Sequence, residues 1–596
     1  MNCKTYKLAV AVFVACNTGF FAYASDVKIN AQPGAERTAV EQALSHLNSK
    51  SSSAVVSPED SFVARDVIID ADGAQHVRFD RKLGGLRVIG GDVVVHSDAS
   101  GEMVGMSHNF VETKSRNVAK RYLDGSVFHD GVAEAARNQG KAMFKGVSRT
   151  EPVVEQVLYA RDREPTLAFD VLVKGMSIDG TPSETHYIID ASSNTLLDSF
   201  DDVHTLVSRD ANANLQMLAA FESALEQRVS PRFSSPEAVD FSPPSKTESS
   251  VAKSISSLAK AAIAGTGNSL ISGVVALTTN SVTSGFELRD PSRGNHYASN
   301  LSGATSGNGA IFTDANNVWG NSAITDTQTA AVDAVYGQNV TWDFYKSVLG
   351  RNGIANDGRG AFSRVHYGRN YVNAFWSDRC FCMTYGDGNG STYLPLVAID
   401  VAGHEMTHGV TSRTAALIYS GESGGLNEAI SDMFGASVEF YANNANSRPN
   451  YLIGERVFAS NNGVATPTKA LRYMFKPSLD GQSPDCYTST IGSLDVHYSS
   501  GVANHFFYLL SEGAVSPPGF SLTASQLVCN GNTSLTAVGR TAAIKIVYRA
   551  LSTYMTSSTN YKGARTAMLK AATDLYGGTS AQYNAVAAAW SAVSVN

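Results

Sequence analysis

An apolar stretch at residues 396–412 carries two histidines together with Glu405. Its apolar residues recur with helical spacing, and a helix stacks residues four apart on one face. His404 and His408 would then lie about one turn apart, close enough to share a zinc ion. Two such histidines could also decorate a solvated helix face, but unpaired polar side chains in an apolar helix are costly to bury. The stretch therefore predicts a zinc helix within a core.

A second polar cluster, at residues 424–432, could complete the metal site. Catalytic zinc takes three protein ligands and keeps a fourth position for water. Glu428 is the predicted third ligand, because this segment is also helical and places Glu428 and Asp432 on one face. Asp432 and Asn427 are predicted to accept hydrogen bonds from the two zinc histidines and to fix their rings. The alternative is that these are ordinary surface carboxylates.

The polar residues around the zinc helix predict hydrolysis. Zinc lowers the pKa of bound water toward neutrality, and Glu405 is placed to accept the proton of that water. A tetrahedral intermediate also needs hydrogen-bond donors for its oxyanion, and the candidates are His497 and Tyr419. Asp495, which precedes His497 by two residues, would orient that ring and favour its protonated form. A purely structural role for His497 is the alternative.

Composition limits the class of protein. The chain has 596 residues, more than one hydrophobic core usually organises, so several domains are expected. Its 43% hydrophobic and 17% charged residues describe a folded protein rather than a disordered one. The formal net charge of -7 and the pI of about 6.0 provide no basic surface for phosphate neutralisation, so nucleic acid is not an expected partner.

The N-terminus has the parts of a secretory signal peptide: two lysines, an apolar run, and the small residues Ala22 and Ala24 at the expected cleavage point. A lipoprotein signal with Cys16 as the lipidated residue is the alternative, but Phe13 stands where that signal has a branched aliphatic residue. No later stretch reaches the ~18 apolar residues of a membrane span. A secreted protein without a membrane anchor is therefore expected.

Four cysteines follow the signal region, Cys380, Cys382, Cys486 and Cys529, an even number that suits disulfides in an exported chain. A bridge between Cys380 and Cys382 would span a single residue and is expected to be strained. Each of these two is therefore predicted to pair with Cys486 or Cys529, in an order that the sequence does not fix. A metal site of four cysteines lacks the required pair spacing.

Local patterns divide the chain into parts. Alternating apolar runs separated by Gly, Asp and Ser turns predict strands, with helices between them, over residues 63–197. Residues 230–257 are rich in Ser, Pro, Lys and Glu and predict an exposed, cleavable linker. Turn-prone strands after Gly265, such as 285–289 and 366–371, predict a β-rich lobe. Helical patterns then predict a mostly helical lobe, with helices at residues 396–412, 426–443, 501–511, 537–553 and 560–575.

These motifs, in this order, resemble the thermolysin-like neutral metallopeptidases, particularly the Gram-negative elastase and vibriolysin type. The family's zinc helix is matched at residues 404–408, its third-ligand helix at 427–432 and its histidine loop at 495–501. The resemblance implies an α+β fold, with a β-rich lobe, a mostly helical lobe, a cleft between them and an α+β propeptide in front. It also implies one catalytic zinc and an endopeptidase, monomeric when mature, that cuts proteins and peptides before bulky apolar residues.

The resemblance assigns further roles in the cleft. Asn373 and Ala374 match the edge strand that holds an extended substrate by strand addition. Tyr419 matches the tyrosine that assists the oxyanion, and Arg472 matches the arginine that fixes a substrate carbonyl. Four residues match the pocket for the side chain that follows the scissile bond: Leu396, Val401, Ile453 and Leu471.

The resemblance also implies a structural calcium ion held by hard oxygen ligands. The matching positions are Asp400, Glu439, Asn450 and Glu455. Asn450 stands where the family often has aspartate, and Ala436 stands where its elastase branch has glutamate, so one calcium ion is the expected upper limit. A further departure is the connection at residues 377–382, which is longer than in the family and could reshape the rim of the cleft.

By the same resemblance, nearly the whole chain divides into recognisable domains. Residues 1–24 are the signal peptide, 25–125 a fungalysin/thermolysin-type propeptide module, 126–205 a PepSY-like propeptide module, 206–262 a linker, 263–412 the lobe with the zinc helix and 413–596 the helical lobe. The prosegment is expected to assist folding and to inhibit the enzyme. Cleavage by the enzyme itself near residues 262–265 would then release the mature protein.

Two other functions are alternatives. An adhesin that kept the zinc fold without activity would show damage at Glu405, Tyr419 or His497, and none of these positions is damaged. A zinc amidase acting on cell walls would use the same water activation, but the edge strand at residues 372–376 favours extended peptides. A peptidase is therefore the favoured function.

Overall fold

The computed structural model describes residues 33–49, 59–109, 130–208 and 262–596. The predicted signal peptide and the predicted linker at residues 230–257 lie outside these ranges. No helix within the ranges is both long and apolar enough to cross a bilayer. The described residues before position 209 are called the prosegment below, and those from position 262 onwards form two lobes.

A ten-stranded sheet organises the prosegment. The prosegment contains the strands β1 Asp60–Ile69, β2 Gln75–Leu83, β3 Leu86–Ile89, β4 Val93–Ser97, β5 Met103–Ser107, β6 Gly146–Ser148, β7 Val153–Tyr159, β8 Thr166–Ser177, β9 Pro182–Asp190, β10 Leu196–Asp201 and β11 Val203–Thr205, and the helices α1 Pro33–Leu47 and α2 Asp130–Met143. The sheet runs β10-β9-β8-β7-β3-β2-β4-β5, with β1 paired to β2 and β6 paired to β8. The predicted strands over residues 63–197 are confirmed, and one described helix, α2, lies between them.

The first lobe is rich in strands and the second is mostly helical, as predicted. The first contains β12 Ala262–Asn268, β13 Val274–Val282, β14 Gly285–Glu287, β15 Arg289–Asp290, β16 His296–Asn300, β17 Ala310–Ile311, β18 Thr313–Asp314, β19 Val318–Trp319, β20 Phe362–Tyr367, β21 Ala374–Ser377, β22 Cys382–Gly386, α3 Thr327–Leu349 and α4 Ile399–Ser412. The second contains α5 Gly421–Ala442, β23 Leu452–Ile453, β24 Arg472–Tyr473, α6 Val496–Ser499, α7 Gly501–Glu512, α8 Arg540–Arg549, α9 Tyr561–Tyr576 and α10 Ala581–Ala592. Short 3₁₀ turns lie at Glu455–Val457, Ala459–Asn461, Pro477–Asp480, Ile491–Ser493 and Ala524–Leu527.

Two sheets build the first lobe, and the prosegment contributes to one of them. The first sheet runs β18-β14-β13-β12-β19, and the second runs β11-β21-β22-β20-β16-β15, with β17 paired to β16. Strand β11, the last of the prosegment, lies antiparallel to β21 with His204 opposite Trp376. Helix α4 packs against β21. The prosegment thus covers the sheet edge that borders the zinc helix.

Helix α3 is absent from the sequence prediction although it is the longest described helix. Asp326 caps its start by accepting hydrogen bonds from the backbone N–H groups of Gln328 and Thr329, and Gly350 ends it in a left-handed conformation. Fifteen of its 23 residues are buried, among them Asp333 and Gln338. A helix buried on most sides shows little amphipathic periodicity, so its pattern was not distinguishable from that of the surrounding strands.

The five helices predicted beyond residue 394 are confirmed, with shifted ends. The zinc helix begins at Ile399 rather than at residue 396, and α5 begins at Gly421 rather than at residue 426. The helix predicted at 537–553 is shorter, because α8 ends at Arg549 and a π-helical turn continues over Ala550–Tyr554. The alanine-rich helix α10 was not predicted, since small side chains give a weak periodic signal.

The predicted disulfide pairing is wrong. Cys380 is bonded to Cys382, and Cys486 is bonded to Cys529. The prediction assumed that a bridge across one residue cannot form without strain. Phe381, however, has a left-handed backbone with a φ of 55°, and the two flanking Cα atoms are 5.2 Å apart, within the range that disulfides span. The bridge closes the connection between β21 and β22.

Candidate metal and active site

Helices α4 and α5 lie side by side and bring three ligand groups together. Within the part of the chain that the structure describes, the ligand atoms of His404, His408 and Glu428 all lie within 4.8 Å of one another. The two histidine Nε2 atoms are 3.0 Å apart, and the Glu428 oxygens lie 3.5 Å and 3.3 Å from them. All three side chains are fully buried, and Glu428 Oε2 has no hydrogen-bond partner. Two imidazoles and a carboxylate with an unpartnered oxygen fit a catalytic zinc ion.

Two glycines allow α4 and α5 to approach closely. A Cβ atom on Gly435 would lie 2.5 Å from the carbonyl oxygen of Asp400, and a Cβ atom on Gly403 would lie 3.0 Å from the Cα atom of Gly435. A larger side chain at Gly435 would therefore push the helices apart and separate Glu428 from the histidines. The role of these glycines cannot be predicted from the sequence, because a one-dimensional pattern does not show which neighbour a glycine faces.

Hydrogen bonds hold both imidazole rings in place. His404 Nδ1 donates to Asp432 Oδ1 over 2.8 Å, and His408 Nδ1 donates to Asn427 Oδ1 over 2.8 Å. With Nδ1 as the donor, each Nε2 keeps a free lone pair for a metal ion. Burial lowers the pKa of His404 and lowers that of His408 to about 3, which keeps His408 neutral at neutral pH.

Asp432 is the centre of a buried network. Arg472 donates to both of its oxygens, from Nε over 2.7 Å and from Nη2 over 2.6 Å, and Asn504 Nδ2 donates to Oδ2 over 2.7 Å. Burial opposes ionisation of Asp432, but Arg472 and His404 outweigh it and hold its pKa well below the ordinary value. Asn504 was missed from the sequence, although an amide within the apolar helix α7 is a signal that could have identified it.

Glu405 lies beside the ligands on α4 and is fully buried. Neither of its carboxylate oxygens has a hydrogen-bond partner. Burial raises its pKa well above the ordinary value, and the nearby charge of Glu428 raises it further. A carboxylate with a raised pKa and free lone pairs is suited to accept a proton.

His497 and Tyr419 form the opposite wall of the site. His497 Nδ1 donates to Asp495 Oδ1 over 2.7 Å, and the Tyr419 hydroxyl lies 3.2 Å from His497 Nε2. Tyr419 also donates to Glu428 Oε1. Burial lowers the pKa of His497, but the charges of Glu428 and Asp495 outweigh burial and raise the pKa above its ordinary value. Both groups can therefore donate hydrogen bonds toward the metal ligands.

Comparisons with known proteins agree with this geometry. A family described as "Thermolysin metallopeptidase, catalytic domain" matches residues 264–412, and "Thermolysin metallopeptidase, alpha-helical domain" matches residues 415–595. The "Fungalysin/Thermolysin Propeptide Motif" matches residues 60–110. A bacillolysin from Bacillus cereus is 32% identical over 556 residues, which cover 91% of this chain and 86% of the relative. The chain belongs to the thermolysin family of metallopeptidases.

The chain spans only part of the length of other relatives that it matches. The "Transglutaminase-activating metalloprotease" of Streptomyces mobaraensis is 41% identical over 541 residues, which cover 90% of this chain and 61% of that protein. The thermolysin of Bacillus caldolyticus is 43% identical over 294 residues, 48% of each chain. A solved structure, the precursor of protealysin from Serratia proteamaculans, is 27% identical with a TM-score of 0.39, and covers 50% of this chain and 87% of that chain.

The cleft of this thermolysin-family chain contains residues 203–208 of its own prosegment, which agrees with the predicted inhibition by the prosegment. The Thr205 carbonyl oxygen accepts from His497 Nε2 over 2.7 Å and lies 3.5 Å from the Tyr419 hydroxyl. The ring of His204 stacks on Tyr419 with centroids 4.3 Å apart and meets His408 edge-on at 4.8 Å. No signal in residues 203–208 marks them as a cleft segment, because the contact is made at long sequence separation.

The residues that match the family's substrate-binding positions surround this segment. Asn373 Oδ1 accepts from the Val207 N–H, and Asn373 Nδ2 donates to the Val207 carbonyl, over 3.1 Å and 3.2 Å. Arg472 Nη1 donates to the Leu206 carbonyl over 2.6 Å. The four pocket positions, Leu396, Val401, Ile453 and Leu471, belong to or pack against the core cluster that includes the fully buried Leu206.

The predicted calcium positions lie together between α4, α5 and the Glu455 turn. Asp400, Glu439 and Glu455 are fully buried, and Asp400 Oδ1 and Glu455 Oε2 have no hydrogen-bond partner. Asn450 differs from the expectation, because its Oδ1 accepts from the Leu452 N–H over 2.6 Å and its Nδ2 donates to Glu455 over 3.0 Å. Three buried carboxylates with two unpartnered oxygens fit a hard cation such as calcium.

Proposed function

We propose that the protein is a secreted zinc endopeptidase, made as a self-processing zymogen, that cleaves peptide bonds before bulky apolar residues. One observation carries the proposal: an extended peptide, residues 203–208, lies along β21 with a backbone carbonyl at His497, close to the zinc ligand set. Strand addition of this kind suits unfolded peptide substrates of varied sequence, because the backbone supplies the hydrogen bonds. Export is inferred from the signal peptide at residues 1–24, and the mature enzyme is taken to act as a monomer.

Each residue of the cleft has a distinct task in the proposed reaction. Asn373, Ala374 and Arg472 hold the substrate backbone, so that one carbonyl faces His497 and Tyr419. Glu405 accepts a proton from the attacking water and passes it to the departing amine. His497 and Tyr419 donate hydrogen bonds to the oxyanion as it forms. Zinc, when bound by His404, His408 and Glu428, would polarise the carbonyl and lower the pKa of the water.

The proposed preference for a bulky apolar residue rests on the pocket of Leu396, Val401, Ile453 and Leu471. Ile453 lies opposite Arg472 in the β23–β24 pair, so this pocket adjoins the arginine that holds the carbonyl of the same substrate residue. Burying a leucine side chain there would contribute about 1.5–3 kcal/mol, which small or charged residues would not supply.

Removal of zinc tests the metal dependence. We expect 1,10-phenanthroline to abolish hydrolysis of casein by the processed enzyme and added zinc to restore it, because the proposed reaction uses zinc to lower the pKa of the attacking water. The non-chelating isomer 1,7-phenanthroline is the matched control and should leave activity unchanged. Activity that survives the chelator, with zinc loss verified by metal analysis, would refute the proposed function.

We also propose that Asp400, Glu439 and Glu455 bind one calcium ion. Calcium takes carboxylate oxygens as ligands at about 2.3–2.6 Å, and its charge would relieve the repulsion among these buried carboxylates. Burial raises the pKa of all three groups, and nearby carboxylates raise it further: Asp432 acts on Asp400, Glu455 and Asp400 act on Glu439, and Asp400 acts on Glu455.

Calcium is therefore expected to raise the thermal midpoint of unfolding of the Glu405→Gln protein at constant zinc, by several degrees. The Glu405 replacement prevents self-digestion during the measurement. Glu455→Gln should lose most of the calcium response, whereas Glu512→Gln, at the end of α7, should keep it. An unchanged midpoint on calcium addition would exclude this site.

A further inference from the structure

The segment from Val203 to Ser208 is held in a single register. Strand β11 pairs with β21. The pairing extends one residue beyond β11, because the Leu206 N–H donates a hydrogen bond to the Ala374 carbonyl over 3.0 Å. Asn373 binds both backbone groups of Val207. Ser208 Oγ donates to Asp495 Oδ2 over 2.8 Å. These contacts fall on consecutive residues of the segment. A shift of the segment by one residue along β21 would therefore break several hydrogen bonds.

This register places one peptide bond at the catalytic groups. The carbonyl of Thr205 faces His497 and Tyr419, the two donors of the cleft, and Tyr419 is also bonded to the ligand Glu428. The next carbonyl, that of Leu206, is turned away to Arg472. The side chain that follows the bond is Leu206, which is fully buried in the core between the lobes. The bond between Thr205 and Leu206 thus has the position and the apolar following residue that the proposed reaction requires.

We infer that the Thr205–Leu206 bond is a substrate of the protein's own active site and is the first bond cut in the precursor. This inference rests on the proposed function and names its first substrate. Water adds to the Thr205 carbonyl carbon, and Glu405 takes one proton from that water. The C–N bond to Leu206 then breaks, and the proton moves to the Leu206 nitrogen. The products are a carboxylate at Thr205 and a free amine at Leu206.

The site near residues 262–265, expected from family resemblance, cannot be the first one cut in this conformation. Residues 262–268 form β12, which pairs with β13 along its whole length and with β19 at residues 266–267. A peptidase of this kind binds its substrate as an extended strand along β21, and that position is taken by residues 203–207. Cleavage near residue 262 is therefore a later trimming step.

The first cut does not by itself free the cleft. The new Thr205 terminus stays paired with β21, and further buried contacts hold the prosegment on the second lobe. Arg78 donates to the carbonyls of Met555 and Ser552, over 2.7 Å and 3.2 Å. Arg161 donates to Ser420 and Ser423 at the start of α5. The cleaved prosegment therefore remains as a bound inhibitor until it dissociates or is degraded.

The first product of the purified full-length precursor tests the inference. Zinc is added to metal-free precursor, and the N-termini and masses of the fragments are followed with time. We expect a new N-terminus at Leu206 and a prosegment fragment that ends at Thr205, before any fragment that begins at residues 262–265. The rate should not change on dilution, because the bond already lies in the cleft of the same molecule.

A pair of leucine variants adds a quantitative check. Leu206→Ala should slow this cut by about 10- to 100-fold, since it removes most of the buried apolar side chain that follows the bond. Leu196→Ala, on β10 at 42% exposure, is the matched control and should be processed at the original rate. An intact Thr205–Leu206 bond in a precursor first cut elsewhere would overturn the inference, and so would an unchanged rate for Leu206→Ala.

The proposed function is tested separately. If the mature protein cleaves casein while the Thr205–Leu206 bond stays intact in the precursor, the inference fails and the proposed function stands. If zinc-loaded protein with the prosegment removed cleaves no peptide, both fail. The fragment masses of the original precursor do not depend on the folding of any variant.

Discussion

Replacing Glu405 with glutamine is expected to lower peptide hydrolysis by about 10²- to 10⁴-fold, the usual contribution of a general base. The amide keeps the size of the side chain but has no basic oxygen of comparable strength, so it cannot take the proton of the attacking water. His404, His408 and Glu428 are untouched, and zinc binding should persist. The full-length variant should therefore accumulate as a zinc-loaded, uncut precursor.

The measurement combines three readouts on one preparation: zinc content, precursor length, and hydrolysis of casein after the prosegment has been removed by another protease. Glu287→Gln is the matched control, because this glutamate lies in the five-stranded sheet and bonds Asn280 and Arg289. The control should mature and cleave at the original rate. Full activity of the Glu405 variant with normal zinc content would remove Glu405 from the mechanism.

The zinc helix could be predicted from the sequence because its signal is local. Helical geometry alone relates His404 to His408, and an apolar helix implies burial. To predict the third ligand, Glu428, one must also infer which helix packs against the zinc helix. Most of the remaining site residues could be predicted only from the family resemblance. The α+β architecture followed in the same way, from strand-like and helical stretches that are contiguous in the chain.

The features that could not be predicted depend on contacts between distant parts of the chain. The glycine contact between α4 and α5 depends on which helix faces which. Helix α3 is hidden because burial on most sides removes its amphipathic pattern. The position of residues 203–208 in the cleft depends on the contact between Thr205 in the prosegment and His497 in the second lobe, which are far apart in the chain. The disulfide between Cys380 and Cys382 depended on the backbone of Phe381, which composition does not reveal.

Asp432→Ala is expected to lower the free energy of unfolding by about 3–5 kcal/mol, the usual cost of removing one partner from a buried ion pair. Asp432 is fully buried and accepts two hydrogen bonds from Arg472 and one each from His404 and Asn504. Its loss leaves the Arg472 guanidinium charged without this carboxylate. It also leaves His404 without its acceptor, so zinc affinity should fall by about 10- to 100-fold.

The ion pair between Asp343 and Arg293 is a control for this prediction, because it has the same two side-chain types as the Asp432–Arg472 pair but is less buried. Asp343 accepts two hydrogen bonds from Arg293 over 2.8 Å and 2.6 Å, but its side chain is 36% exposed. When Asp343 is removed, Arg293 keeps its ion pair with Asp290 and remains partly exposed to water, so Asp343→Ala should cost only about 0–1 kcal/mol. Urea unfolding of both variants in the Glu405→Gln background gives the two free energies without self-digestion. Equal costs would mean that burial of the Asp432 network adds nothing to stability.

The double variant Asp432→Ala/Arg472→Met should cost less than the two single changes together, because it removes the unpaired charge that makes Asp432→Ala costly.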